Sequence, residues 1–192
     1  MLINEVASLE ESSGSSLEGS FTRDLVFSKY WLMHELYKIQ PHISTMYVLG
    51  SWYGNLALFL NRYPRVQVDH IVNVETDQER LRTGERILNQ AGARNVEHML
   101  KDANRLDYRQ LDSDGAVVNT SLTEMSDTDW FKHIPSGTLV VLQARDHNPD
   151  QQFSSPQDIE QKFPLSQVLY SGSLDLEDPE TAYTRFMTIG RK

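Results

Sequence analysis

Two glycines and a carboxylate in the first half of the chain have types and spacing that suit one piece of chemistry. Gly50 stops the apolar run Met46-Tyr47-Val48-Leu49, Gly54 follows within the next turn, and Glu75 closes a second apolar run containing Ile71, Val72 and Val74. A glycine at a strand end lets the backbone turn tightly and leaves no Cβ in the path of a ligand. A second glycine at the head of a helix brings helix and sheet together, and the helix N-terminus offers free N–H groups to an anion. An acidic residue roughly 20 positions or a little more beyond the glycine turn can accept hydrogen bonds from both hydroxyls of a ribose. The segment Gly50, Ser51, Trp52, Tyr53 and Gly54, with Glu75 and Thr76, therefore predicts a nucleoside site, while Asp77 is assigned to helix capping. The two glycines alone are equally consistent with a turn and a packing contact. Glu75 decides between these readings.

Further candidates fall at the ends of later apolar runs. In Lys101-Asp102-Ala103-Asn104, Asp102 can accept from an adenine amino group and the Ala103 N–H can serve a ring nitrogen; a plain turn accounts for Asp102 as well. Asn119-Thr120-Ser121 ends the next run, with Glu124 and Met125 after it. Ser121 and Glu124 have the spacing of a capping box, which leaves Asn119 unexplained. His147, in Arg145-Asp146-His147, can serve as a general base or orient a substrate, or can be an exposed loop residue before Pro149. Asn119, Glu124 and His147 are the candidate catalytic residues. Tyr30 and Trp31 can lid the site or pack. His34, His42, His70, His98 and His133 are scattered without metal-site spacing, so no metal is expected.

The elements that must position these residues follow from periodicity. Residues 1–21, rich in serine and acidic side chains, are expected to form a flexible arm, with one domain over 22–192. Apolar residues at helical spacing predict a helix from Thr22 to about Ile39. Strands are predicted at Met46–Leu49, His70–Thr76, Asn95–Lys101, Gly115–Thr120 and Thr138–Gln143, and helices at Gly54–Arg62, from Asp77 to Gly92, and at Pro156–Phe163. Continuous apolar strands alternating with helices imply a doubly wound, mostly parallel α/β sheet with helices on both faces. Two alternating segments, Gln167–Leu176 and Ala182–Ile189, predict a closing antiparallel hairpin and make seven strands.

The bulk properties narrow the function classes. The 192 residues carry a formal net charge of −9, and none is cysteine. That removes disulfides, thiolate metal sites and a cysteine nucleophile. The acidic balance argues against a nonspecific nucleic-acid binder. Arg80, Arg82 and Arg86 sit among Asp77, Glu79 and Glu85 as a mixed-charge helix face. No apolar run approaches a membrane span and no secretory signal is visible, so a cytoplasmic protein is expected.

From about Thr22 to Lys192 the chain resembles the class I S-adenosylmethionine-dependent methyltransferases. Gly50 and Gly54 match the first and third glycines of that family's first motif, Glu75 its ribose-binding acid, Asp102 and Ala103 its adenine-contacting pair, and Asn119 to Ser121 the segment that faces the transferred methyl. The closing hairpin matches as well, and nicotinamide-binding Rossmann domains typically lack it. The resemblance implies S-adenosylmethionine as cofactor and methyl transfer to a small molecule or protein. Three alternatives remain: another enzyme using the same cofactor, a binding module without catalysis, or a NAD-dependent enzyme. The family's middle glycine falls at Trp52, and its acid two positions before the first glycine falls at Val48. Asn119-Thr120-Ser121 lacks the Pro-Pro-Tyr/Phe of base-methylating enzymes. Nucleic acid is therefore not expected as a partner. The sequence does not determine the oligomeric state.

Overall fold

The structure is a computed structural model that describes residues 21–62, 65–125, 127–146, 153–177 and 182–192. The expected arm at residues 1–21 lies almost wholly outside the described residues, as does His147. The elements run α1 (Arg23–Ile39), β1 (His42–Leu49), α2 (Asn55–Arg62), β2 (Gln67–Glu75), α3 (Gln78–Gln90), β3 (Val96–Leu100), β4 (Ala116–Asn119), α4 (Asp129–Lys132), β5 (Leu139–Arg145), α5 (Pro156–Lys162), β6 (Gln167–Glu177) and β7 (Ala182–Arg191). Two short 3-10 turns, Ala103–Arg105 and Tyr108–Gln110, lie between β3 and β4. Neither these turns nor α4 was foreseen, because each is too short to show a helical period.

The strands form one seven-stranded sheet in the order β3-β2-β1-β4-β5-β7-β6. Every pairing from β3 to β5 is parallel, and β7 runs antiparallel to both β5 and β6. Chain order reverses between β1 and β4, so the crevice beyond their carboxyl ends is where this topology places a ligand.

Successive strand residues point to opposite faces, and both faces are covered. Met46 and Val48 of β1 face a layer containing Leu32, Leu36, Phe59, Leu60 and Ile87 from α1, α2 and α3. Tyr47 and Leu49 face the opposite layer, with Tyr108, Trp130, Phe131, Ile159 and Phe163. Full burial of a side chain such as Phe59 contributes about 1.5–3 kcal/mol. Trp31, a possible lid in the sequence reading, is instead tied to the sheet edge: its indole N–H donates to the Tyr170 hydroxyl at 2.9 Å. Tyr30 packs on Phe59 with ring centres 5.8 Å apart.

Local capping matches the sequence reading in one place, departs from it in another, and adds a box on α5 that was not read from the sequence. Asp77 caps α3 by accepting from the Glu79 and Arg80 N–H groups. Ser155 and Asp158 form a reciprocal capping box on α5. The expected box at Ser121 and Glu124 is absent, because a turn and no helix follows β4. On the outer edge, the β6–β7 register slips between Val168 and Tyr170. None of the described helices is long and apolar enough to cross a membrane.

Candidate active site

The turn after β1 is fixed by its own backbone and by the end of β2. Gly50 has φ +59° and Gly54 φ +75°, values that L side chains rarely adopt. Trp52, standing where the middle glycine was expected, has φ +54°. The backbone thus keeps a glycine-like conformation there although the residue has changed. The Ser51 N–H donates to the Val74 carbonyl at 3.0 Å, and the Gly54 N–H to the Ser51 carbonyl at 2.8 Å. The Trp52 indole lies 5.3 Å from the Tyr53 ring, centre to centre.

Glu75 is the second anchor of this turn. Its carboxylate is buried (7% exposed). Oε2 accepts from the Trp52 N–H at 2.9 Å, while Oε1 accepts from the Thr76 and Asp77 N–H groups at 2.9 and 3.1 Å. Glu75 thus faces the turn at the crevice. Oε1 already holds two backbone donors and Oε2 one, so Oε2 retains room for one more.

The glycines earn their places partly through protein contacts. A Cβ on Gly50 would meet Ser121 Cβ at 3.2 Å, and one on Gly54 would meet Leu88 Cδ1 at 2.7 Å and Asn73 Nδ2 at 2.9 Å. The space in front of Gly50 is therefore used by Ser121 of the β4 turn, a role the sequence reading reserved for a ligand. Gly54 closes the helix–sheet distance as expected. Gly84 does the same for α3, where a Cβ would lie 2.9 Å from the Tyr53 backbone. Sequence reading missed it; the signal was a glycine in mid-helix.

The ends of β3 and β4 complete the crevice. Asp102 accepts from the Asn104 N–H at 2.9 Å, so one carboxylate oxygen serves the turn. Ala103 is buried, and its carbonyl accepts from the Tyr108 hydroxyl at 2.9 Å. Asn119 is fully buried: its Oδ1 accepts from the Ser121 N–H at 2.9 Å and its amide nitrogen lies 3.1 Å from Met125 Sδ. Ser121 Oγ donates to the Gly50 carbonyl at 3.4 Å, which joins the β4 turn to the β1 turn. Glu124 stays exposed, 3.6 Å from Arg145.

Thr120 holds two buried cations that the sequence reading did not single out. Lys29 Nζ donates to Thr120 Oγ1 at 2.8 Å, and Arg185 Nη2 donates to the Thr120 carbonyl at 2.6 Å. Burial, followed by repulsion from Arg185, holds the Lys29 ammonium well below its usual pKa. Burial also lowers Arg185. Both could have been suspected, since Lys29 lies on the inward stripe of α1 and Arg185 at an inward position of β7.

No family model matches the sequence, and no curated protein matches it. Solved structures do. An rRNA methylase from Streptococcus thermophilus aligns with 15% identity over 89% of this chain and 98% of its own, at a TM-score of 0.58. A precorrin-6y C5,15-methyltransferase from Geobacter metallireducens gives 13% identity over 85% and 87%, at 0.55. TrmK of M. capricolum, solved with S-adenosylhomocysteine, gives 9% over 82% and 67%, at 0.57. The chain has the class I methyltransferase fold. The expected family resemblance, strand order and closing hairpin are borne out at this level. One expectation is corrected: the acidic balance and the missing Pro-Pro-Tyr/Phe do not exclude nucleic acid, since a structurally similar chain of matching extent is an rRNA methylase. Net charge reports the average field of a chain, whereas RNA contacts depend on a local surface.

Proposed function

We propose that this protein binds S-adenosylmethionine across the carboxyl ends of β1, β2 and β3 and transfers its methyl group to an acceptor beside β4. The observation that carries this reading is Glu75, a buried carboxylate at the end of β2 that grips the glycine turn and keeps one acceptor position on Oε2. The surroundings suit the cofactor. Ser51 Oγ is buried at the turn and lacks a hydrogen-bond partner, so it is available to a polar ligand atom. Glu75 takes one ribose hydroxyl on Oε2, rather than both hydroxyls as the spacing alone suggested. Gly50, Trp52, Tyr53 and Gly54 shape the wall, Thr76 supports Glu75, and Asp102 and Ala103 meet the adenine.

When bound, the sulfonium supplies a methyl already activated for in-line displacement. The chain's own part is to place the acceptor and exclude water. Asn119 is a positioning residue, since its side chain fixes the turn that carries Thr120 and Ser121. Glu124 is an exposed carboxylate of the β4 turn able to take a proton from the acceptor. His147, the third catalytic candidate, is proposed only from its place in the sequence after β5.

Calorimetric titration with S-adenosylhomocysteine tests the reading. Micromolar affinity is expected, with Glu75→Ala weakening it by about 1–3 kcal/mol, roughly 5- to 150-fold. Absence of binding at millimolar ligand, or an unchanged affinity in the variant, overturns it.

A further inference from the structure

On the same edge of the sheet, past β5, the first turn of α1, the end of β5 and the β6–β7 hairpin enclose a cleft of about 490 Å3. Four carboxylates line it, Asp24, Asp146, Asp175 and Glu177, against one cation, Arg23. That guanidinium lies over the Phe27 ring, 5.4 Å from its centre. Phe27 also lines the cleft and is half exposed.

The carboxylates are fastened from one side. The Thr184 N–H donates to Asp146 Oδ1 at 2.9 Å, the Thr184 hydroxyl to Asp175 Oδ1 at 2.9 Å, and the Tyr183 hydroxyl to Asp24 Oδ2 at 2.5 Å. Asp24 is only 5% exposed, and its second oxygen, Oδ1, has no hydrogen-bond partner. Burying a carboxylate oxygen without a donor is unfavourable, and a ligand N–H supplies what is missing. Burial and the neighbouring Asp24 push the Tyr183 phenol up to about 12. It therefore stays protonated and keeps donating to Oδ2, which leaves Oδ1 to a ligand.

We infer that this cleft binds an organic cation, a primary ammonium or a guanidinium, with an N–H on Asp24 Oδ1 and the charge over Phe27. The Phe27 face holds the chain's own Arg23 guanidinium, which the incoming cation displaces, and aromatic faces attract cations. Asp175 and Glu177, both exposed on the hairpin, add the long-range attraction. A free amine and a basic side chain of a peptide share this chemistry.

The test is calorimetric titration of the full chain, without cofactor, by agmatine, by an acetyl-Gly-Arg-Gly-amide peptide, and by uncharged 1,4-butanediol. Because no cofactor is present, its outcome is independent of the methyl-transfer reading. Both cations are expected to bind or one of them to dominate, the tighter one identifying the source, while the diol gives no heat. Asp24→Asn should weaken the cation at least tenfold. Should that variant not fold, the surface pair Asp175→Asn with Glu177→Gln decides, with a several-fold loss expected. No binding of either cation at about 10 mM, or full affinity in the deciding variant, overturns the inference.

Discussion

Three glycines in positive-φ conformations allow the geometry of the β1 turn to be measured as stability. Gly92 follows α3 with φ +77° and open space around its missing Cβ, so Gly92→Ala isolates the backbone cost of a left-handed residue. That cost is about 1–2 kcal/mol, reduced by about 0.4–1 kcal/mol because alanine also restricts the unfolded chain. Gly50→Ala adds a Cβ at 3.2 Å from Ser121 Cβ, a contact that can give by a few tenths of an ångström. A further few tenths of a kcal/mol to about 1 kcal/mol is expected. Gly54→Ala drives a Cβ to 2.7 Å from Leu88 Cδ1 and 2.9 Å from Asn73 Nδ2, both in the core. Overpacking of that kind costs about 1–3 kcal/mol beyond the backbone term. Urea denaturation with a common m value should therefore rank the losses Gly92→Ala, then Gly50→Ala, then Gly54→Ala, with about 1–3 kcal/mol between the first and last. If Gly54→Ala proves no worse than Gly92→Ala, the close approach of α2 to β2 and α3 is not what requires a glycine there.

Other expectations follow from the same interactions. Trp52→Gly removes a left-handed strain of about 1–2 kcal/mol but also the Tyr53 contact and some unfolded-state restriction, so the unfolding free energy should move by less than about 1 kcal/mol. A loss above about 2 kcal/mol in urea would show that the indole, and not the backbone, holds the turn. Lys29 has a folded-state pKa below its unfolded value, so between the two values the unfolded chain binds more protons and stability rises with pH. Lys29→Met should flatten that alkaline rise and stabilise the neutral-pH protein by about 1 kcal/mol; parallel pH profiles for variant and wild type in urea melts would refute this assignment.

The parallel core was readable because β1, β4 and β5 carry unbroken apolar runs and β2 one interrupted only by Asn73, and the hairpin because its segments alternate. Boundaries came out short for strands that begin in polar residues: β1 starts at His42 and β2 at Gln67, where the chain is still exposed. The glycine turn and Glu75 were visible as types at a spacing, but the partner of each was not. Nothing in a linear pattern reveals that Ser121 fills the space before Gly50, or that Glu75 takes the Trp52 N–H. The Ser121 and Glu124 spacing was satisfied by a turn, because a capping box needs a helix to cap. Lys29 and Arg185 went unnoticed because a single charge inside an apolar stripe is averaged away by periodicity, although burial lowers the pKa of both.

The slip between Val168 and Tyr170 bears on how the protein behaves at high concentration. A sheet that stops at an open strand offers its unpaired peptide groups to any chain that can align with them, and the eleven residues of β6 would be a long invitation. An irregularity near the start of β6 twists the ladder and puts Gln167 and Val168 out of phase with the stretch from Tyr170 to Glu177. At the opposite border only the five residues of β3 are on offer. Straightening the outer border by deleting Leu169 would therefore be expected to promote fibre-like assembly while leaving the crevice at the carboxyl ends of β1 and β4 untouched.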